Sequence, residues 1–508
     1  MWATIICVIN RQRCIPLFIA VGLYYIACYT TLRSHIHLYT QHVLHQSAIT
    51  SQETLYVQKY SKQCHGLINV QSAGNFTDRV IAFNAFLSSF RDEELKRLGS
   101  GAWQKPTSRR LNVVSGMRDD YLQILSNYSK ITTIVLPWLK NISNSTLRHA
   151  FNMLIHTFYD WTADDKLCSW IETFGMTRVA DFNRTCNRMI NDTVRPSSVQ
   201  ISTGNTKYAF YIHIHRDAIV TQQGNVITDG LKLVLYGCRY NIEQSLASHL
   251  EKVPLYNEVF VVSQGIWGNG VFHRMIEVVP RIALLVNFLK SNPDVRIVAP
   301  HAGGRLAELL NIIGLDKTRL VTGVTRAKIV YQPRATPCGH ANIQEIQMLS
   351  RLFRDYIKRN FPMQPRNKLI LIRRSRHRKF AQQQSIQTYM QRVSREFNLN
   401  YTLYIDNPAP SLNETMMMFH SAVVIVAPVG AGESNMLFSQ PGTYIVEGNC
   451  SPPNVNLCFM RLAYVLGHHW HGIMPEGGCP RVVNVSHSDI YDAVREYLRY
   501  WSSHSTTY

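Results

Sequence analysis

Residues 422–450 read AVVIVAPVGAGESNMLFSQPGTYIVEGNC. A run of β-branched residues stops at Pro428. Gly430, Ala431 and Gly432 make a turn, and Glu433 and Asn435 stand at its exit, where a helix is expected to start. TYIVEG (443–448) then reads as a second strand, so the stretch has the outline of a strand–turn–helix–strand unit. Two readings of the turn stand side by side. Glycines let a strand and a helix approach closely. They also let backbone N–H groups converge on an anion at a helix N-terminus. Neither the G-x-G-x-x-G dinucleotide fingerprint nor a Walker lysine is present, so neither of those assignments is supported.

The same alternation extends upstream. Strands are expected at 208–215, 231–237, 258–265, 295–300, 327–333, 368–375, 401–405 and 423–428, with VITDG (226–230) as a turn. Helical spacing covers 305–315, 343–360, 382–397 and 411–422. It also covers FHRMIEVVPRIALLVNFLK (272–290), where Pro280 predicts a kink near Val279. QPRATPCGHA (332–341) is the candidate linker. Strands alternating with helices imply parallel sheets of right-handed βαβ units. The predicted fold class is therefore α/β, with two Rossmann-like domains: an acceptor-side domain over 66–335 and a donor-side domain over 336–480. A C-terminal helix and tail occupy 481–508. Ligands of such sheets bind beyond the carboxyl ends of the strands.

Two further segments carry chemistry at such ends. LILIRRSRHRKF (369–380) finishes a strand with Arg373, Arg374 and Ser375 and continues through Arg376, His377, Arg378 and Lys379. Guanidinium groups grip phosphate bidentately; a solvated basic loop is the plain alternative. In GNGVFHRMIEVVPR (268–281), His273 and Glu277 lie four apart on one helix face. There Glu277 could orient an imidazole acting as a base, or the two could form an ordinary surface pair. GHHWHG (467–472) matches no metal motif and reads as a loop, and no HExxH or C-x-x-C occurs. No D-x-D occurs either. Neutralising a leaving diphosphate would then fall to arginines and helix dipoles, so no metal cofactor is indicated.

The chain has 508 residues, 46% of them hydrophobic, and a formal net charge of +20. That excess calls for an anionic partner. Ile15–Leu32 is uncharged over 18 residues and flanked by Arg11, Arg13 and Arg33. It is just long enough to span a bilayer, with the bulk of the chain in the lumen; a cleaved signal peptide is the rival. Residues 1–14 would be a cytoplasmic tail and 33–65 a stem. Ten N-x-S/T sequons occur, against roughly four by chance. Eight cysteines follow the apolar segment, enough for four disulfides. These features point to the secretory pathway, in the endoplasmic reticulum or Golgi, and away from a nucleic-acid partner.

Together GNGVFHRMIEVVPRIALL, LILIRRS and APVGAGESNMLFSQPGTYIVE resemble glycosyltransferase family 61 in residues, order and spacing. The resemblance covers about 200–470. It implies two facing Rossmann-like halves (the GT-B arrangement) and inverting transfer from a UDP-sugar, carrying N-acetylglucosamine or xylose, to a glycoprotein or polysaccharide. By position, His273, Glu277, Pro280 and Arg281 match the family's N-terminal motif. Arg373, Arg374 and Ser375 match the strand-end motif, and Gly430, Ala431, Gly432 and Asn435 the donor turn; Arg378 joins the donor-side cations. Two positions depart. Val429 stands where the family commonly has His, and Glu433 where it commonly has Leu. Glu433 could supply a replacement carboxylate, or could mark a changed donor or a weakened enzyme.

Overall fold

Among the described residues, two large β-sheets, each built on the apolar runs read above, and one two-stranded sheet form. The structure, a computed structural model, describes residues 56–59, 66–71, 76–99, 101–104, 112–115, 125, 128–137, 176–177, 209–228, 230–234, 250–263, 270–300, 303–334, 336, 343–450, 458–473 and 481–504. The apolar segment 15–32, nearly all of the stem and the sequons at 75, 127, 141, 144, 183 and 191 lie outside the described residues. Among the described residues, no helix is long and apolar enough to cross a membrane.

The first sheet has eleven strands. They are β1 (Tyr56–Lys59), β2 (Gly66–Gln71), β3 (Asn112–Ser115), β4 (Ile131–Pro137), β6 (Ala209–Val220), β7 (Val226–Thr228), β8 (Leu231–Val234), β9 (Leu255–Val261), β10 (Arg296–Val298), β11 (Leu320–Val321) and β12 (Thr325–Pro333). A two-residue strand, β5 (Met176–Thr177), belongs to the second sheet. β12, β9, β10 and β11 run parallel, as the alternation predicts. The remainder is mixed: β6 pairs antiparallel with both β12 and β4. β6 also pairs antiparallel with β7, through a hairpin. The chain reverses at 221–225, where Thr221 N–H donates to the Asn225 carbonyl at 2.8 Å and Gly224 takes φ +83°. Residues 226–228, expected within a turn, are therefore strand β7, and hairpin strands must run antiparallel. Gln332 and Pro333, the start of the candidate linker, end β12.

The second sheet is wholly parallel. Its strands are β13 (Lys368–Arg373), β15 (Asn400–Ile405), β16 (Ala422–Pro428), β17 (Tyr444–Gly448) and β18 (His469–Ile473), in the order β15-β13-β16-β17-β18-β5. The five long strands thus follow the doubly wound order 2-1-3-4-5, and the order reverses between β13 and β16. A two-stranded sheet joins β14 (Lys379–Phe380) to β19 (Val482–Val483). The expected loop 467–472 is mostly β18, with Trp470 turned inward and His469 outward, the alternation of a pleated strand.

Ten helices surround the sheets: α1 (Phe76–Leu98), α2 (Val271–His273), α3 (Pro280–Ala283), α4 (Val286–Ser291), α5 (Arg305–Ile312), α6 (Ile343–Asn360), α7 (Gln383–Glu396), α8 (Leu412–His420), α9 (Cys458–Val465) and α10 (His487–His504), counted among the described residues. α7 packs on α10, while α6 packs on α8 and α9. α8 starts on a capping box in which the Ser411 and Glu414 side chains satisfy each other's backbone N–H groups. One contiguous cluster of buried apolar side chains runs from Phe83 and Phe210 through Val279 to Ile425 and Leu498.

Candidate active site

The helix carrying His273 and Glu277 is irregular for a reason written in its sequence. Pro280 has no N–H, and its ring would strike a carbonyl four residues back. The chain responds with a π-turn, Arg274–Val278, in which Val279 N–H reaches the Arg274 carbonyl at 3.0 Å. The kink expected near Val279 takes this form, and α3 restarts with Pro280 in its first position. Within the widened turn, His273 Nδ1 lies 3.0 Å from Glu277 Oε1. The carboxylate is 2% exposed and the imidazole 21%, so the acid orients the ring from beneath. A bond from Nδ1–H to the carboxylate leaves Nε2 as the basic nitrogen of the neutral ring. Phe272 packs edge-on against both His273 (5.1 Å) and Phe459 (5.2 Å), and α2 also lies against residues 431–438. The N-terminal motif thus meets the second sheet's helices.

Arg281 is fully buried and bolts this segment to the first sheet. Its guanidinium donates to the carbonyls of Val262 (3.1 Å), Ser263 (3.0 Å), Pro333 (2.7 Å) and Arg334 (3.0 Å). These are the residues at the carboxyl ends of the parallel neighbours β9 and β12. Burial lowers its pKa to about 10, which still leaves it charged at neutral pH.

In the second sheet, the turn after β16 sits at the switch point. Ala431–Phe438 is a 3-10 helix whose N-cap is Gly430. Glu433 folds back, and its Oε2 accepts the Gly430 N–H at 2.9 Å. That amide is already bonded within the chain. Gly430 has φ 163°, ordinary extended backbone, so the glycine answers a steric need: a Cβ there would overlap Arg374 Nη1. A Cβ at 432 would meet Ile372 Cγ2 at 3.0 Å. Both glycines therefore make room for β13 and the residue after it. Asn435 is buried, donates to the Gly432 carbonyl at 3.0 Å and bonds Tyr404. Ala431 is half-buried.

Arg374 bridges the switch point. Its Nη1 donates to the Val429 carbonyl at 2.9 Å, and its Nε lies 3.7 Å from Asp406 Oδ2. Asp406 follows β15 and also accepts from the backbone N–H and hydroxyl of Ser375. One arginine, one serine and one aspartate thus fasten the carboxyl ends of β15, β13 and β16. Arg373, Arg376, His377 and Lys379 are exposed; Arg378 is half-buried in the left-handed region (φ 54°). Pairing of β14 with β19 closes the basic loop, and Phe380 fills the space left by Gly448, where a Cβ would come within 2.5 Å of its ring.

Beneath this loop lie two buried acids, one of which the sequence reading did not single out. Glu447, next to Gly448, is fully buried and accepts the Trp470 indole N–H at 2.7 Å. The only sequence signal is a carboxylate inside an otherwise apolar strand, TYIVEG. Burial pushes Glu447 up to about 8, against the pull of the Trp470 indole and Arg378. Burial, then the charge of Glu447, push Glu433 well above the usual carboxylate range, against the Gly430 amide, Arg374 and Arg378. Cys458 of α9 is buried; burial, Glu447, Glu433 and Glu277 push its thiol up against the pull of Arg378, so all three motif segments bear on it. Cys450 is disulfide-bonded. Among the described residues, no group of three or more His, Cys, Asp or Glu side chains is placed to hold a metal ion.

Residues 271–446 match the family model described as Glycosyltransferase 61. The match takes in His273, Glu277, Arg281, Arg374 and Glu433 and stops one residue short of Glu447. No curated protein matches the chain.

Proposed function

We propose, from the premise that residues 271–446 form a glycosyltransferase 61 domain, that the protein moves one sugar from a UDP-sugar to an acceptor hydroxyl with inversion. The sugar is N-acetylglucosamine or xylose, and the acceptor is a glycoprotein or glycan. The work is done in the endoplasmic reticulum or Golgi lumen, with residues 15–32 as the anchor. The observation that carries this reading is the His273–Glu277 pair, oriented at 3.0 Å and packed against the turn at the switch point of a doubly wound sheet.

In this mechanism His273 Nε2 removes the acceptor proton, and Glu277 stabilises the imidazolium that forms. The acceptor oxygen bonds to the anomeric carbon from the face opposite the leaving group. The bond between that carbon and the phosphate oxygen breaks, and its electron pair leaves with UDP. Arg374 is already spent partly on Val429, so the charge on the diphosphate falls mainly to Arg378 and Arg373, with Arg374 shaping the turn.

A second reading is favoured by one observation: Glu433 already occupies the Gly430 N–H. A weakened, sugar-binding homologue would bind UDP without turnover. Assaying the full chain against a panel of UDP-sugars separates the two. Release of UDP with one sugar, dependent on acceptor and abolished by H273A, supports the transferase. UDP binding with no release from any sugar supports the alternative.

A further inference from the structure

Glu433 and Glu447 are both fully buried near the carboxyl ends of β16 and β17, close enough for the charge of one to bear on the other. Val429 N–H bonds the carbonyl of Gly448, the residue after Glu447, at 2.8 Å, and Glu433 holds the amide of Gly430, the residue after Val429. Each carboxyl uses one oxygen on a neutral N–H donor, Gly430 N–H for Glu433 and the Trp470 indole for Glu447. The other oxygen of each, Oε1, has no hydrogen-bond partner among the described residues. Two buried carboxylates with a bare oxygen apiece are costly to leave ionised together, and neither makes an ion pair among the described residues. One proton on the pair removes the like-charge repulsion and turns one carboxyl into a neutral acid.

We propose that Glu433 and Glu447 keep one proton as a pair and act as a positioning pair for the turn at 430–435, so that the affinity of that turn for the donor's diphosphate is linked to pH. This rests on the reading that the turn faces the donor. The groups that face the pair are known from each element around it. Arg374 and Arg378 come from the basic loop, Cys458 from α9 and Trp470 from β18; Asp406 faces the pair only through Arg374, and Glu277, with its partner His273, only through Cys458. With one proton, the pair carries a single negative charge under two arginines. Losing it doubles that charge beneath the phosphate site and sets two carboxylates against each other. Donor diphosphate, itself anionic, therefore binds best to the protonated pair and takes up a proton where the free pair has lost it. The burial-raised titration of both acids agrees with that placement.

The sign for stability follows from the same proton. The folded pair keeps it at a pH where the unfolded carboxyls have lost theirs. The stability this contributes is full below the unfolded carboxyl range, about pH 4, and is lost as pH rises through the folded value. Two measurements on the full chain test the proposal, each on wild type, E447Q and E433Q. Glutamine keeps an acceptor for Trp470 or Gly430 and cannot ionise, and the second variant serves if the first does not fold. Without ligand, the melting temperature of wild type should fall by a few degrees between about pH 6 and 9, and the variants should hold flatter and higher at the alkaline end. UDP affinity of wild type should weaken about fivefold over the upper part of the same range, and that of E447Q should lose most of this slope. A wild-type melting curve that is flat, or that E447Q reproduces, overturns the retained proton. A stability slope with pH-independent UDP affinity overturns the coupling. If UDP fails to bind at any pH, the donor reading and the coupling fall together, while the melting curves still decide the proton.

Discussion

Replacing Arg281 with methionine tests whether the motif arginine is a structural bolt. Methionine fills much of the same space and donates nothing. Four carbonyls at the carboxyl ends of β9 and β12 lose donors now at 2.7–3.1 Å. Each bond to a charged donor is worth roughly 1.5–3 kcal/mol, but removing the guanidinium also relieves a buried charge of a desolvation cost of several kcal/mol. The carbonyls left behind dominate, and the net loss should be about 3–5 kcal/mol. In denaturant unfolding the midpoint should drop with the slope unchanged, because the surface exposed on unfolding is the same. R281K should fall between, since its point-like ammonium cannot span four acceptors. A loss below about 1 kcal/mol would show that the carbonyls find other partners, and the clamp argument would be wrong.

Three further outcomes are expected. H273A should lower turnover by about 10²–10⁴-fold with the melting temperature nearly unchanged, and E277Q should do the same more mildly; steady-state rates and melting curves check both. G430A should push Arg374 off the Val429 carbonyl and cost about 1–3 kcal/mol of stability together with UDP affinity, measured by calorimetry. Of the four described sequons, Asn400, Asn413 and Asn484 are exposed, while Asn449 is fully buried with its Oδ1 on Cys450 N–H at 2.7 Å. Mass spectrometry of the chain expressed through the secretory pathway should find glycan at the first three and none at Asn449.

Much of the second sheet was legible because its strands are continuous apolar runs ending in Pro, Gly or Arg. VVIVAP, KLILIRRS and TYIVEG fall within two residues of β16, β13 and β17. The first sheet was less so. A three-residue strand such as β7 has too few positions to show a period, and nothing local says that the long β6 will pair antiparallel on both sides. At the site, the pairing of His273 with Glu277 could be read because both lie on one helix. What Arg374, Arg281 and Glu433 hold could not, since their partners are backbone atoms brought near by folding: the carbonyls of 429 and of 262–263 and 333–334, and the amide of 430. The sequence leaves close approach and anion binding both open for the glycines at 430 and 432; what comes close to them is Arg374 and Ile372, side chains at the end of β13.

The π-turn at 274–278 amounts to one surplus residue in an otherwise ordinary helix. Deleting a residue between His273 and Glu277 would restore regular coiling at the cost of their spacing, leaving the two side chains three positions apart instead of four. Along this segment, then, natural variation should tolerate exchange of side chains more readily than any change in the number of links.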